Sequence, residues 1–219
     1  MSGSTIVVTV PGMIGEDDLT PLKQVTSVVY HETEHVTQDE LAALAEGHSY
    51  LMLNYDVVKK LGPAFYENEN VRNLSVISAD ITGMDWAAPE AALANGVKLT
   101  NIPHYSTESV AETILAETLL HSRERHSAYQ DQIAGQPAEA RQGFNLSGRR
   151  AGIVGLGSIG LRSGELYSAV GMEVVGWNRS PRQALFEQVP IQVLFATSKV
   201  IAITMKTVRE GSDANVQIV

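Results

Sequence analysis

The apolar run at residues 151–154, followed at once by Gly155-Leu156-Gly157-Ser158-Ile159-Gly160, constrains this chain more than any other feature. Three glycines at that spacing, between an apolar strand and a helical stretch, specify a strand–turn–helix unit. The first permits the tight turn, the second lets a ligand's oxygens approach the main chain, and the third lets helix and strand pack closely. N–H groups at the start of the new helix then favour an anion, helped by the helix dipole. A second strand at residues 173–177 completes a βαβ unit. The pattern points to a dinucleotide pyrophosphate held at Gly155, Gly157 and Gly160.

The rest of the chain sets outer bounds. A length of 219 residues accommodates one large domain or two small ones. Hydrophobic residues make up 44% and charged residues 19%, so there is ample material for a packed core. With no cysteine, disulfides, thiolate zinc sites and a Cys nucleophile are excluded, and the composition suits a reducing, cytoplasmic setting. No stretch reaches membrane-spanning length, and the N-terminus lacks a signal-peptide layout. A formal net charge of −9 argues against a broad nucleic-acid surface.

In the first half, short β-branched or apolar runs at residues 5–10, 25–30, 49–53, 74–79 and 97–100 read as five strands. Thr37 and Glu40 have the spacing of a capping box ahead of Leu41, Leu44 and Ala45. Residues 56–61 read as a turn or two of helix stopped by Gly62-Pro63, and Asp85 as the cap of a helix running to Asn95-Gly96. Strands alternating with helices predict a parallel, doubly wound sheet. A single long helix is expected over residues 107–133, capped by Ser106, as a spine between two domains, with a loop over residues 134–147. Beyond it, the β-α-β unit continues with a short helix near residues 181–188 and a strand at 200–204. Gly164, inside the helix that follows the glycine turn, weakens that helix by about 1 kcal/mol relative to Ala.

An acidic residue that holds the adenosine ribose normally ends the second strand of such a unit. The slot here reads Trp177-Asn178-Arg179-Ser180-Pro181-Arg182 and has no carboxylate. Asn178, Arg179, Ser180 and Arg182 suit a 2′-phosphate, which an Asp would repel. NADP(H) is therefore favoured and NAD(H) is the alternative. Solvated surface arginines, with Arg179 stacked on adenine, are the plainer explanation of the same residues.

At this point a compound signature emerges. Gly83, Gly96, Asn101-Ile102-Pro103, Ser106-Thr107 and Val110-Ala111-Glu112 precede the glycine turn in that order. The chain thereby resembles the D-isomer-specific 2-hydroxyacid dehydrogenases, and residues 179–182 are similar to the NADP-using glyoxylate and hydroxypyruvate reductases among them. The resemblance implies an α/β fold: a flavodoxin-like parallel-sheet substrate domain (1–103) plus an incomplete Rossmann dinucleotide-binding domain (104–219). It implies a small 2-oxo or 2-hydroxy acid as substrate, with Thr82 and Gly83 in the loop whose amides bind its carboxylate and Asn54 and Tyr55 lining the cleft. It places Thr107 at the nicotinamide end of the cofactor and gives Ser158, Ile159 and Gly160 the pyrophosphate amides. A homodimer through the second domain and its spine helix is the family's common assembly.

Three departures matter. Asp80 and Ile81 stand where relatives have small residues, and an ionised Asp80 facing inward would oppose an anionic substrate; facing out or capping a turn, it would not. Met205-Lys206-Thr207 replaces a Pro-containing segment. Finally, the Arg, Glu and His on which the family's catalysis rests lie downstream of the strand at 200–204, and this sequence has none of the three motifs. Among its histidines only His104 adjoins the expected cleft, and no catalytic residue is assigned. On the resemblance, residues 200–204 are strand four of a six-stranded order, strand three is the short piece near 189–192, and strands five and six are missing. That would leave strand four as an exposed apolar edge and the tail at 213–219 without a cap. A truncated dehydrogenase, a non-catalytic nucleotide-binding or regulatory protein, and an inert relic all remain open.

Overall fold

The computed structural model describes residues 3–136 and 142–205. The chain divides into two compact units, Met1–Tyr105 and Ser106–Val219. The tail at 213–219 and the Lys206-Thr207 pair lie outside the described residues.

The first unit is a five-stranded, all-parallel sheet in the order β2-β1-β3-β4-β5. Its strands are β1 (Ser4–Thr9), β2 (Ser27–Glu32), β3 (Tyr50–Leu53), β4 (Val76–Ala79) and β5 (Lys98–Thr100). That order is the flavodoxin-like one, with its reversal between β1 and β3. The β-branched run of β1 lies near the sheet centre, where both faces are covered, and Ile6, Val7 and Val8 are fully buried. β2 is an edge strand and alternates in exposure, so its apolar content is a poor guide to its limits. Val25, expected inside it, lies outside and is exposed, and pairing with β1 runs from Ser27 to Glu32.

The helices of this unit follow their local chemistry. α1 (Thr20–Lys23) is a single turn, and α2 (Gln38–Leu44) begins at the expected capping box. Glu40 N–H donates to Thr37 Oγ1 at 3.3 Å, and Thr37 N–H donates to the Glu40 carboxylate at 2.8 Å. Gly62-Pro63 does not stop a helix; it starts one, α3 (Pro63–Tyr66), because proline's fixed φ and missing N–H suit a first turn. The helix expected from Asp85 is split. A 3-10 turn, Asp85–Ala87, ends at Ala88 with φ +44, and α4 (Pro89–Ala94) starts afresh at Pro89, whose ring disfavours a helical residue before it. Leu41, Leu53, Leu61, Phe65 and Ile77 close the core.

The second unit is a four-stranded parallel sheet, among the described residues, in the order β8-β7-β6-β9. Its strands are β6 (Arg150–Val154), β7 (Glu173–Trp177), β8 (Glu187–Gln188) and β9 (Val200–Ile203). This is the 3-2-1-4 portion of the dinucleotide-binding order. The spine is not one helix: α5 (Thr107–Ser122) and α6 (Arg125–Ile133) are separated by Glu124 at φ +52. At the end of α5 the Ser122 carbonyl accepts the Phe144 N–H at 2.8 Å, so a returning segment closes the helix where periodicity alone carried it onward. Ser106 occupies the N-cap position of α5 but makes no side-chain cap bond.

α7 (Ser158–Ala169) follows the glycine turn and packs on α5, where Tyr167 and Thr118 share a hydrogen bond of 2.7 Å. Burial pushes the Tyr167 hydroxyl above its ordinary pKa. The helix expected near residues 181–188 is absent: residues 181–184 carry no regular structure and lead to β8, while α8 (Ile191–Thr197) forms just beyond Pro190. Phe186 explains the difference. Its ring fills a slot between Gly164 of α7 and Gly176 of β7, where a Cβ on either glycine would collide with it. Gly164 therefore admits an aromatic wedge, and its helix-propensity cost is offset by that packing.

Candidate functional site

In sheets of this kind ligands collect at the carboxyl ends of the strands, beside the point where the order reverses. In the second unit that point lies between β6 and β9, and β6 runs straight into Gly155. Gly155 has φ +100, and a Cβ there would meet Met205, so the turn requires glycine both for its backbone and for its space. A Cβ on Gly160 would run into the Gly155 carbonyl and lie 2.6 Å from Thr204 Oγ1. Thr204 closes the turn from the next strand by donating to the Gly155 carbonyl at 2.7 Å.

Gly157 is different. It is the N-cap of α7 at φ −75, a value any residue adopts, and a Cβ there would meet nothing within 4 Å. Among the described residues the space above it is open. The N–H groups of Ser158, Ile159 and Gly160 donate to no other described residue, and no acidic side chain occupies the first turn of α7. Three free donors, an open face and a positive helix end fit the pyrophosphate of a dinucleotide.

The turn is held from the side by Asn178. Its Oδ1 accepts the Leu156 N–H at 3.0 Å, and its Nδ2 donates to the Ser180 carbonyl at 2.8 Å. Its amide thus braces the glycine turn and the segment after β7 together. That segment borders a cavity of about 410 Å³ lined by Trp177, Asn178, Arg179, Pro181, Gln188, Val189 and Pro190. Ser180 and Arg182 are exposed beside it but do not line it. Thr107 is the first residue of α5.

In the first unit the loops after β3, β4 and β5 are tied to one another. Asp80 accepts a hydrogen bond from Asn54 Nδ2 and one of 3.0 Å from the Tyr55 N–H. Asn54 is only 3% exposed, and its Oδ1 accepts the Asp56 N–H at 3.0 Å. Asn54 is therefore a buried brace, where the sequence pointed to a residue lining a cleft, and Asp80 caps the turn it belongs to. Tyr55 packs edge-on against Trp86, ring centres 5.4 Å apart. Asn101 Nδ2 donates to the Thr82 carbonyl at 2.6 Å, and Thr82 Oγ1 donates to the Ile102 carbonyl at 3.0 Å. The Thr82 and Gly83 N–H groups donate to no other described residue, and nothing lies within 4 Å of a Cβ placed on Gly83. Two exposed amides in a braced loop suit a carboxylate. His104 stands on a turn at φ +63.

Sequence reasoning missed Phe186 and Gln188. Phe186 reads as a helical apolar residue until the glycines facing it are seen, and Gln188 gains meaning only when its amide is found on the Arg182 carbonyl.

Comparison with known proteins matches this architecture. Residues 115–213 fit the model of the D-isomer specific 2-hydroxyacid dehydrogenase NAD binding domain. D-lactate dehydrogenase of Treponema pallidum (strain Nichols) is 30% identical over 154 residues, which cover 67% of this chain and 46% of that protein. The chain thus spans about half the length of this relative. Among solved structures, the apo form of Escherichia coli D-lactate dehydrogenase superposes with a TM-score of 0.68 at 23% identity, over 92% of this chain and 65% of the other. An acyclic imino acid reductase in complex with NADPH and D-Arg superposes with a TM-score of 0.80 at 19% identity, over 98% and 68%. These two likenesses concern the fold. The nucleotide-ready turn of the second unit lies inside the stretch that the family model covers, and the chain belongs to the D-isomer-specific 2-hydroxyacid dehydrogenase family.

Proposed function

We propose that this chain carries the cofactor-binding and acid-binding parts of an NAD(P)-dependent dehydrogenase acting on a small 2-oxo or 2-hydroxy acid. The single observation that carries the reading is the start of α7, where the Ser158, Ile159 and Gly160 N–H groups and the space above Gly157 are taken up by no other described residue. These amides hold the pyrophosphate, and Gly155 and Gly160 shape the turn. When bound, the nicotinamide supplies or accepts the hydride. Thr107 contacts that end of the cofactor. Thr82 and Gly83 donate their amides to the substrate carboxylate, with Tyr55 beside them and Asn54 holding the loop. We assign residues 1–103 to the acid and 104–219 to the dinucleotide.

The 2′-phosphate form is the cofactor we favour. Arg179, Ser180 and Arg182 follow β7 with no carboxylate among them, and the structurally similar imino acid reductase holds NADPH. Arg179→Ala is expected to weaken NADPH by about tenfold or more and NADH little, read by fluorescence titration. Equal losses for both would remove the 2′-phosphate role.

No residue of this chain is assigned the proton transfer, since the family's Arg, Glu and His motifs have no match in its sequence. The purified chain is expected to bind NADPH saturably and to leave glyoxylate, hydroxypyruvate and pyruvate unreduced. Turnover would show that other residues suffice. A homodimer through α5 and α6 is supported by the apolar side chains they expose, Leu119, Leu120, Tyr129 and Ile133. Light scattering that stays monomeric at every concentration would refute it.

A further inference from the structure

The segment between β7 and β8 is fixed at three points by side chains that do not themselves carry charge. Asn178 Nδ2 holds the Ser180 carbonyl at 2.8 Å. Gln188 Nε2 donates to the Arg182 carbonyl from the end of β8, which is registered on β7 through the Gly176–Gln188 pair. Phe186 seats its ring in the slot that Gly164 and Gly176 leave open, with Leu156 of the glycine turn against the same point. An otherwise irregular stretch, with Arg179, Ser180 and Arg182 on its exposed side, is thereby held in one path along the 410 Å³ cavity.

We infer that Gln188 and Phe186 are positioning residues for cofactor choice. They hold the Arg179–Arg182 backbone so that its cationic and hydroxyl groups converge on a ribose 2′-phosphate. The inference rests on the NADPH reading above. Its physical basis is that two long arginine side chains confer discrimination only if the path of their backbone is settled before the ligand arrives. Gln188 bonds the carbonyl of the last residue of the basic stretch and also lines the cavity. Loss of its amide frees Arg182 without touching the pyrophosphate turn, which is braced separately through the Leu156 N–H and Asn178.

The test measures NADPH and NADH affinity by fluorescence titration of the full chain and two variants, Gln188→Ala and the milder Phe186→Leu, with circular dichroism as a check on folding. Gln188→Ala is expected to lose about tenfold in NADPH affinity while NADH affinity stays within about twofold, as removal of one supporting hydrogen bond implies. Phe186→Leu should shift the ratio the same way by a smaller factor. Equal weakening of both cofactors, or no change in either, overturns the inference. A wild-type chain that prefers NADPH, loses that preference in Arg179→Ala and keeps it in Gln188→Ala overturns this inference alone. A wild-type chain with no NADPH preference overturns the reading beneath it as well.

Discussion

Two helices begin in nearly the same backbone posture and are finished in opposite ways. The N-cap of α2 is Thr37 at φ −71, ψ 163, and the N-cap of α7 is Gly157 at φ −75, ψ −173. In α2 the orphan donors are answered from within: Thr37 Oγ1 takes an N–H, and Glu40 reaches back. In α7 no other described residue answers them. Gly157 has neither the positive φ nor the steric crowding that would demand glycine, so its missing side chain serves no requirement of the fold. A helix start left bare where a serine would fit is what the pyrophosphate role proposed for it requires.

The largest effect should come from filling that space. Gly157→Ser supplies the cap that α7 lacks, so stability read by thermal melting should hold or rise by about a few tenths of a kcal/mol. The hydroxyl then competes for the same donors and occupies the approach to the turn, and NADPH affinity should fall by about tenfold or more. Undiminished binding would break the contrast between the two helices. Gly160→Ala makes the opposite case. Its Cβ would strike the Gly155 carbonyl, so thermal melting should show a loss of about 1–3 kcal/mol, with binding lost as a consequence. The two glycines thus separate a site requirement from a packing requirement.

The same contrast extends to the loops at the strand ends. In the first unit they are tied by polar side chains, and Asp80 is the knot. Asp80→Ala would leave Asn54 Nδ2 and the Tyr55 N–H without their acceptor, at a cost of about 1–3 kcal/mol in chemical denaturation. Cofactor affinity should be untouched, because the dinucleotide turn is in the other unit. A neutral Asp80→Ala would mean that the network contributes little to that unit's stability.

Legibility followed from how far each feature's cause lies along the chain. The glycine turn, the capping box and the strands β1 and β7 were readable because their reasons sit within a few residues. The break of the spine at Glu124 was not, since the Phe144 N–H that closes α5 comes from twenty residues downstream. The irregular segment before β8 was misread as helix because Phe186 answers to Gly164 and Gly176, both distant in sequence. In the candidate site the glycine turn and the helix start behind it were legible from motif spacing, whereas the loop at Thr82 and Gly83 was pointed to only by the family resemblance. Asp80 as a turn cap was among the placements the sequence offered; the bracing roles of Asn54 and Asn178 were not legible, because a polar residue at a strand end looks the same whether it faces a ligand or its own backbone.

The smallest effect tests the closed helix. Thr37→Ala removes the side-chain acceptor of α2 and should cost about 1 kcal/mol, with no change in NADPH affinity. The pH dependence supplies a second handle. Hydrogen bonds from Thr37 hold the Glu40 carboxyl below its ordinary value of 4.5 in the folded chain. A depressed folded value means the contribution is complete above about pH 4.5 and drains away as the pH falls through the lower folded value. Thr37→Ala keeps the main-chain hydrogen bond, the larger of the two causes, and removes only the hydroxyl's, so it should flatten the acid limb of the stability curve in that window only in part and leave the neutral region displaced by a constant amount. An unaltered acid limb would mean that the Thr37 hydroxyl contributes nothing to the Glu40 shift. The bare start of α7 has no carboxylate in its first turn and offers no corresponding titration, so Gly157→Ala should leave the acid limb of stability where it is.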